Sequence, residues 1–412
     1  MTQESTATSD ILIVGGGLNG PALALALAQN GLRVTVVDAR PAPQRAEAGF
    51  DGRAYALAIA SKRLLGVIGV WPAIAEKVQP ILRIKASDGR AGEGAAPLFL
   101  DFDHAEIEEG PMGFMAEDRH LYAAFLTAMA ASPNITLLSG ETVVAQSISP
   151  TAASITLASG KSLTARLLIG CDGRSSGTAK RASISRSGWG YDQTALVTAV
   201  NHKLPHHGTA QQFFMPEGPL AILPLPGNRS SIVWSETTAN AAALQALDDE
   251  SYLAALRPRF GDFLGEISLA GTRFTYPLSL TLADRFVDHR LALVGDAAHG
   301  VHPIAGQGLN LGLRDVAALA QVLIEAQRRG EDFGTIDVLT RYQRWRRFDS
   351  TSLALGMDSV NRLFSNDNPI LRLGRDLGMG AVNALPGLRR RFIRQAAGLQ
   401  GDLPRLLQGQ PV

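Results

Sequence analysis

Two stretches of this 412-residue chain combine residue types and spacings that could do chemistry. The first is Gly15-Gly16-Gly17-Leu18-Asn19-Gly20, a G-x-G-x-x-G pattern, with Asp38 lying 23 positions after Gly15. Glycines at these spacings allow a tight turn and close approach of backbone to a diphosphate. An acid about 20 residues further on can accept hydrogen bonds from a ribose diol. The second stretch is Gly295-Asp296-Ala297-Ala298-His299, followed by Pro303 and then Gly306-Gln307-Gly308-Leu309-Asn310. Here an acid precedes a glycine-rich loop, and the loop runs into a helix. The N–H groups and partial positive charge of a helix start suit a flat ring that becomes anionic on reduction, as a flavin does.

These residues need elements to hold them. The apolar run Ile11-Leu12-Ile13-Val14 predicts a buried strand, Pro21 to Gln29 a crossover helix closed by Gly31, and Arg33 to Val37 a second strand ending at Asp38. Leu167-Leu168-Ile169-Gly170-Cys171-Asp172-Gly173 is a third apolar run ending in an acid, and Arg290 to Gly295 a fourth element of the same kind. Strands that each deliver an Asp with glycines close by suggest one parallel sheet whose carboxyl edge binds one ligand. The pieces are far apart in the chain, so the unit must be discontinuous. Segments 9–75, 112–185 and 286–330 would form a Rossmann-like domain. Segments 76–111 and 186–285 alternate short β-like runs with Pro and Gly turns, which reads as an inserted, mostly antiparallel sheet, with a helical interlude near Asn240 to Phe260. Residues 331–412 read as a helical C-terminal region, so the fold class is α/β.

Composition narrows the function. Hydrophobic residues make up 46% of the chain and the net charge is +1, which argues against a nucleic-acid footprint. The single cysteine, Cys171, excludes a disulfide framework and fits a reducing cytoplasm. No apolar run reaches the ~20 residues needed to span a bilayer, and the polar first ten residues lack the features of a targeting peptide. His299 and His302 are spaced for a metal but have no evident third ligand, so no metal site is expected. Arginines cluster at 341–347 and 389–394 among apolar residues. They read either as the solvated face of packed helices or as a contact with an anionic membrane surface or a protein assembly.

On these motifs the chain resembles the class A flavoprotein aromatic hydroxylases, and among them the UbiH-type ring hydroxylases of ubiquinone biosynthesis. The Cys171-Asp172-Gly173 turn with Ser175-Ser176, Leu223-Pro224-Leu225-Pro226, Tyr276-Pro277-Leu278 and the tail from Phe392 to Leu406 carry the closer likeness. The resemblance implies a p-hydroxybenzoate-hydroxylase-like fold and an FAD cofactor. Gly15, Gly17, Leu18, Asn19 and Gly20 would hold its diphosphate and Asp38 its ribose. Arg53, Arg119 and Asp172 would be further cofactor contacts. Gly295 and Asp296 would meet the ribityl chain, and Gly308, Leu309 and Asn310 the pyrimidine end of the ring. Pro303, Gly306 and Gln307 would lie at the reactive face. NADPH or NADH would reduce the flavin, and O2 would form a C4a-hydroperoxide that hydroxylates a polyprenylated phenol.

The likeness places the enzyme in a bacterial cytoplasm, with peripheral contact at the inner membrane, a quinone-biosynthesis assembly and a homo-oligomer as open partners. His202, His206, His207 and Tyr191 sit on the approaches of the inserted sheet, and none is singled out as a base. Two other functions compete: a class A hydroxylase of a soluble aromatic or polyketide, and a flavin-binding scaffold with little turnover.

Overall fold

The computed structural model describes residues 9–42, 49–92, 94–301, 307–364 and 378–412. Strand β1 (Ile11–Val14), helix α1 (Asn19–Ala28) and strand β2 (Val34–Asp38) open the chain. Every residue of β1 is buried, as a central parallel strand covered on both faces requires. It lies between β2 and strand β3 (Leu167–Gly170), parallel to both, with Ile11 opposite Val34 on one side and Leu167 on the other. Strand β4 (Leu291–Leu293) continues the sheet beside β3, again in parallel. Ile135–Ser139 adds an outer strand next to β2, and the antiparallel Val287–Asp288 closes the opposite edge. Parallel neighbours need crossovers, and α1 is the first of them. It is buried along almost its whole length and packs on α2 (Asp118–Ala130) and α3 (Gln307–Arg328).

The segment between β3 and β4 builds most of a second, nine-stranded sheet. Its long strand Arg186–His202 pairs antiparallel with Arg229–Thr237 and Phe274–Ala283. The expected mostly antiparallel character is present, with one parallel pair between Thr209–Met215 and Arg83–Arg90. Within segment 76–111, the stretch from Gln79 to Asp103 reads as a source of further strands for this sheet. Arg83 to Asp103 supplies them, but Gln79–Ile81 pairs instead with Gly113–Glu117, in a three-stranded sheet completed by Ala54–Ala58. The helical interlude is two helices, Thr238–Gln245 and Asp249–Phe260, and the Asp248 side chain caps the second. Together they cover one face of the sheet, where Leu196, Phe213, Ile222 and Trp234 meet Tyr252, Leu256 and Phe260.

Helix α4 (Ile336–Phe364) joins the two sheets. Its 29 residues span roughly 43 Å at ~1.5 Å per residue. Near its start Gln343 Oε1 accepts from Phe286 N at 2.7 Å, and Tyr342 Oη donates to Leu293 O at 2.8 Å. Near its end Asp358 accepts from Trp189 Nε1 at 3.1 Å, Asn361 donates to Gln193 at 3.1 Å, and Phe364 packs on Phe214. Helix α5 (Pro386–Ala396) follows, with Ile393 as its buried anchor.

Candidate cofactor and substrate site

The carboxyl edge of the parallel sheet collects Asp38, Asp172 and Asp296, following β2, β3 and β4. Glycine is required where these elements meet. At Gly15, with φ of +110°, a Cβ would lie 2.3 Å from Cys171 O. At Gly20 it would lie 2.0 Å from Gly15 O, and at Gly16 2.6 Å from Asp38 Oδ2. The turn is therefore closed against both neighbouring strands. Leu18, the N-cap of α1, makes no side-chain cap, and the first turn holds no acid. The helix start thus keeps its N–H groups and positive end for an anion.

Asp38 is buried. Its Oδ1 accepts from Arg40 N at 3.2 Å, while its Oδ2 has no partner among the described residues. An unpaired buried acceptor costs on the order of 1–3 kcal/mol, and a ribose hydroxyl would satisfy it. The residues present fit FAD at this end.

Asn19 ties this end to the second loop. Gly295, with φ of +64°, and Gly312 on α3 each place a Cβ position 2.3 Å from Asn19 Nδ2. The Asn19 side chain is clasped between the turn after β4 and helix α3, and its Oδ1 is buried without a partner among the described residues. Asp296 stands half-exposed beside this clasp. Arg174 Nε approaches its Oδ2 at 3.2 Å, and Arg186 Nη2 donates to its carbonyl at 2.8 Å.

At the start of α3, Gly308, Leu309 and Asn310 lie in the first turn, where N–H groups have no intrahelical acceptor. The Asn310 side chain does different work from its backbone. Its Oδ1 accepts from Ala58 N at 2.8 Å and Ser61 Oγ at 2.7 Å, and its Nδ2 donates to Ala56 O at 2.8 Å. It fixes where α3 begins. Gln307 opens the helix, while Pro303, Gly306 and His302 lie outside the described residues.

A buried ionic cluster supports the loop, and sequence reasoning missed its centre, Asp315. Its Oδ2 accepts from Gly295 N at 2.9 Å and from His299 Nε2 at 2.5 Å, while its Oδ1 accepts from Arg346 Nε at 2.8 Å. Arg346 also pairs with Asp349, which takes Arg314 Nη1 at 2.8 Å. Burial pushes the Asp315 carboxyl up. The facing His299 and Arg346, with their hydrogen bonds, outweigh burial and hold it below the ordinary carboxylate value. The signal was present in the sequence, because Asp315 falls four residues after Leu311 on the apolar stripe of α3, where an acid has no place without a partner.

Other expected contacts have partners of their own. Asp172 Oδ1 accepts from Ser176 Oγ at 2.5 Å and Oδ2 from Thr178 N at 2.8 Å, so its carboxylate braces the following helical turn. Arg53 pairs with Asp51 at 2.6 Å and reaches Asp118 at 3.5 Å. Arg119 donates to the buried Glu117 at 2.7 Å, which also binds Arg229 of the large sheet at 2.8 Å. His202 is held by Leu204 O and Ser230 Oγ, and burial lowers its pKa; His206 faces Leu225 O at 2.8 Å. Of the four base candidates, Tyr191 packs with Val301 and Leu311.

The second face of the large sheet supplies a floor. Val197, Val233 and Ala221 are lateral neighbours on three strands and only half-buried, as is Leu223. On the same face, Ala199, Ala210 and Leu225 pack against Ile59 and Met115 from the other side of the molecule. Small apolar side chains left partly open between two packed units suit an apolar ring or tail.

Comparison with known proteins agrees. The FAD binding domain family matches residues 8–348. Ubiquinone hydroxylase UbiL of Rhodospirillum rubrum is 46% identical over 100% of this chain and 95% of its own. The 3-demethoxyubiquinol 3-hydroxylase of Escherichia coli is 37% identical over 97% of this chain and 100% of its own. Among solved structures, p-nitrophenol 4-monooxygenase PnpA from Pseudomonas putida superposes with a TM-score of 0.80 at 19% identity, covering 96% of this chain and 98% of that one, a likeness of fold. The fold, the glycine-locked edge and these relatives together show that the chain belongs to the FAD-binding monooxygenases, among the ubiquinone hydroxylases.

Proposed function

We propose that the enzyme hydroxylates the aromatic ring of a polyprenylated phenol in ubiquinone biosynthesis, using FAD, O2 and NADPH or NADH. The observation that carries the site assignment is the clasp of Asn19 between Gly295 and Gly312, which brings the turn after β1 together with the turn after β4 and the start of α3; in this reading the first would bind the diphosphate and the second the ring. Bound FAD would accept a hydride from the nicotinamide and activate O2 for transfer of one oxygen atom to the ring.

The protein's own groups do the rest. Gly15, Gly17 and Gly20 with the start of α1 would hold the diphosphate, and the free Oδ2 of Asp38 a ribose hydroxyl. Asp296 would take ribityl hydroxyls, and the N–H groups of Gly308 to Asn310 the ring's pyrimidine edge. Arg53 and Arg119 would lie toward phosphate with their acid partners holding them in place. In this reading segments 9–75, 112–185 and 286–330 form the cofactor domain, and the floor at Val197, Ala221, Leu223 and Val233 receives the substrate and excludes water from it. The substrate partitions into a bilayer, so work at a membrane face, within a quinone-biosynthesis assembly, or as a homo-oligomer belongs to the same proposal.

Cells lacking the protein test it. They should accumulate a polyprenylated quinone precursor missing one ring hydroxyl, and lose ubiquinone. Unchanged quinone pools would reject the pathway, and the class A hydroxylation of a soluble aromatic would take its place.

A further inference from the structure

Strand Thr209–Met215 alternates between the two faces of the large sheet. Phe213 and Met215 enter the core beneath the helices Thr238–Gln245 and Asp249–Phe260. Ala210 and Phe214 therefore belong to the other face, and their contacts agree. Ala210 packs in the cluster of Ile59 and Met115, and the Phe214 ring centroid lies 4.1 Å from that of Phe364 at the end of α4. Gln212 stands between these two residues on the same face, which is the face of the apolar floor.

Strand register places Gln212 in one lateral row of that floor. It is opposite Ala221, Ala221 is opposite Val233, and Val233 is opposite Val197, while Ala86 flanks Gln212 on its other side. Gln212, Ala221, Val233 and Val197 are each only half-buried, whereas Ala210 and Phe214 are buried on either side. Four residues of strand separate Ala210 from Phe214, about 14 Å at ~3.4 Å per residue. The opening between those two closures has room for one substituted ring.

Gln212 is the polar member of this row, and its side-chain amide makes no hydrogen bond with any described residue. Withdrawing an amide from water beside alanine and valine costs free energy until a partner arrives. Gln193, on the long strand of the same sheet, has its partners already: it donates to Glu217 O at 2.8 Å and accepts from Asn361 at 3.1 Å.

We infer that Gln212 binds the ring oxygen of the substrate. Its Oε1 would accept from a phenol O–H, or its Nε2 would donate to a phenol or methoxyl oxygen, while the alanines and valines of the row take the carbon face of the ring. A few polar groups placed in an apolar pocket fix a ligand's orientation in this way. An amide does not titrate near neutral pH, so Gln212 sets which ring carbon is presented and does not act as the base. The inference rests on the reading of the substrate as a prenylated phenol.

Binding of two probes to the purified holoenzyme tests it: 2-geranylphenol and geranylbenzene, which differ by the ring oxygen alone. The wild type should bind the phenol about tenfold or more tightly over the hydrocarbon, the worth of one partly buried hydrogen bond. Gln212→Leu should lose about that factor for the phenol and leave the hydrocarbon unchanged. Gln212→Met, closer in shape to glutamine, should do the same. Gln211→Leu, on the same strand but the opposite face, should keep the wild-type ratio. Each variant is compared at equal flavin content. A wild-type ratio retained by both Gln212 variants would overturn the inference, and so would an equal loss for both probes, which a merely structural role would give. A wild type that binds the two probes equally would overturn it too, while leaving the hydroxylase reading to the quinone pools of cells lacking the protein. Unchanged pools beside an oxygen-dependent ratio would reject the pathway and keep the assignment of Gln212.

Discussion

A single carboxylate oxygen shows how residues at this site are set for a ligand. Asp38 Oδ2 is buried against Gly16 with no donor among the described residues. Asp38→Ala should weaken FAD binding by about 10- to 100-fold, the loss of one charge-assisted hydrogen bond, measured by flavin fluorescence titration. The place of Asp38, at the end of β2 and against Gly16, was legible in the sequence from its spacing after the glycines. Asn310 was legible only in part, since the sequence marks its place at a helix start but not that its side chain is spent on Ala56, Ala58 and Ser61. Asp315 was not found, because its partners come from the 3-10 turn at Gly295, the short strand at His299 and a helix 31 residues away at Arg346.

Removing the Asp315 charge leaves Arg346 and His299 buried opposite an uncharged group. Asp315→Asn should cost about 3–5 kcal/mol of stability, read as a lower urea midpoint. The folded pKa of Asp315 is depressed. Its contribution is therefore complete above the unfolded value of about 3.9 and is lost as pH falls through the lower folded value. The midpoint of the wild type should drop in that acid window more steeply than that of the variant.

Elements explain why distant residues act together. Helix α1 begins at Asn19, and α3 and the turn after β4 close on that side chain from two directions. Gly312→Ala would force Asn19 aside and should lower FAD affinity. Added to Asn19→Ala, the same change should cost little more. A double-mutant cycle should return a coupling energy of about 1 kcal/mol or more, whereas additive effects would mean that the two groups do not share a site. The strands, the crossover helix and the long C-terminal helices could be read from apolar runs and glycine punctuation. The assignment of Gln79–Ile81 could not, because strand propensity does not say which of two nearby sheets offers a free edge. Nor does sequence show that Asp172 braces its own turn, since an acid after a strand is compatible with a ligand or a local cap.

At the scale of the whole molecule, α4 sets the relation between the two sheets. Its first half is bonded to the cofactor side through Tyr342, Gln343 and Arg346, and its second half to the large sheet through Asp358, Asn361 and Phe364. The turn at Gly295 and the large sheet are thereby tied to one helix. Discontinuity of the cofactor side could be inferred from motifs at both ends of the chain, but this bridge could not, because its polar contacts are scattered along a helix whose sequence reads simply as amphipathic. The central claim is that one FAD lies between the turn at Gly15 and the helix start at Gly308. The most direct measurement is the flavin released by denaturing the purified wild type and the Asp38→Ala and Gly312→Ala variants, after equal dialysis and with folding checked by circular dichroism. The account predicts one FAD per wild-type chain and marked loss from both variants; a folded wild type without flavin affinity, or variants that retain FAD as fully as the wild type, would contradict it.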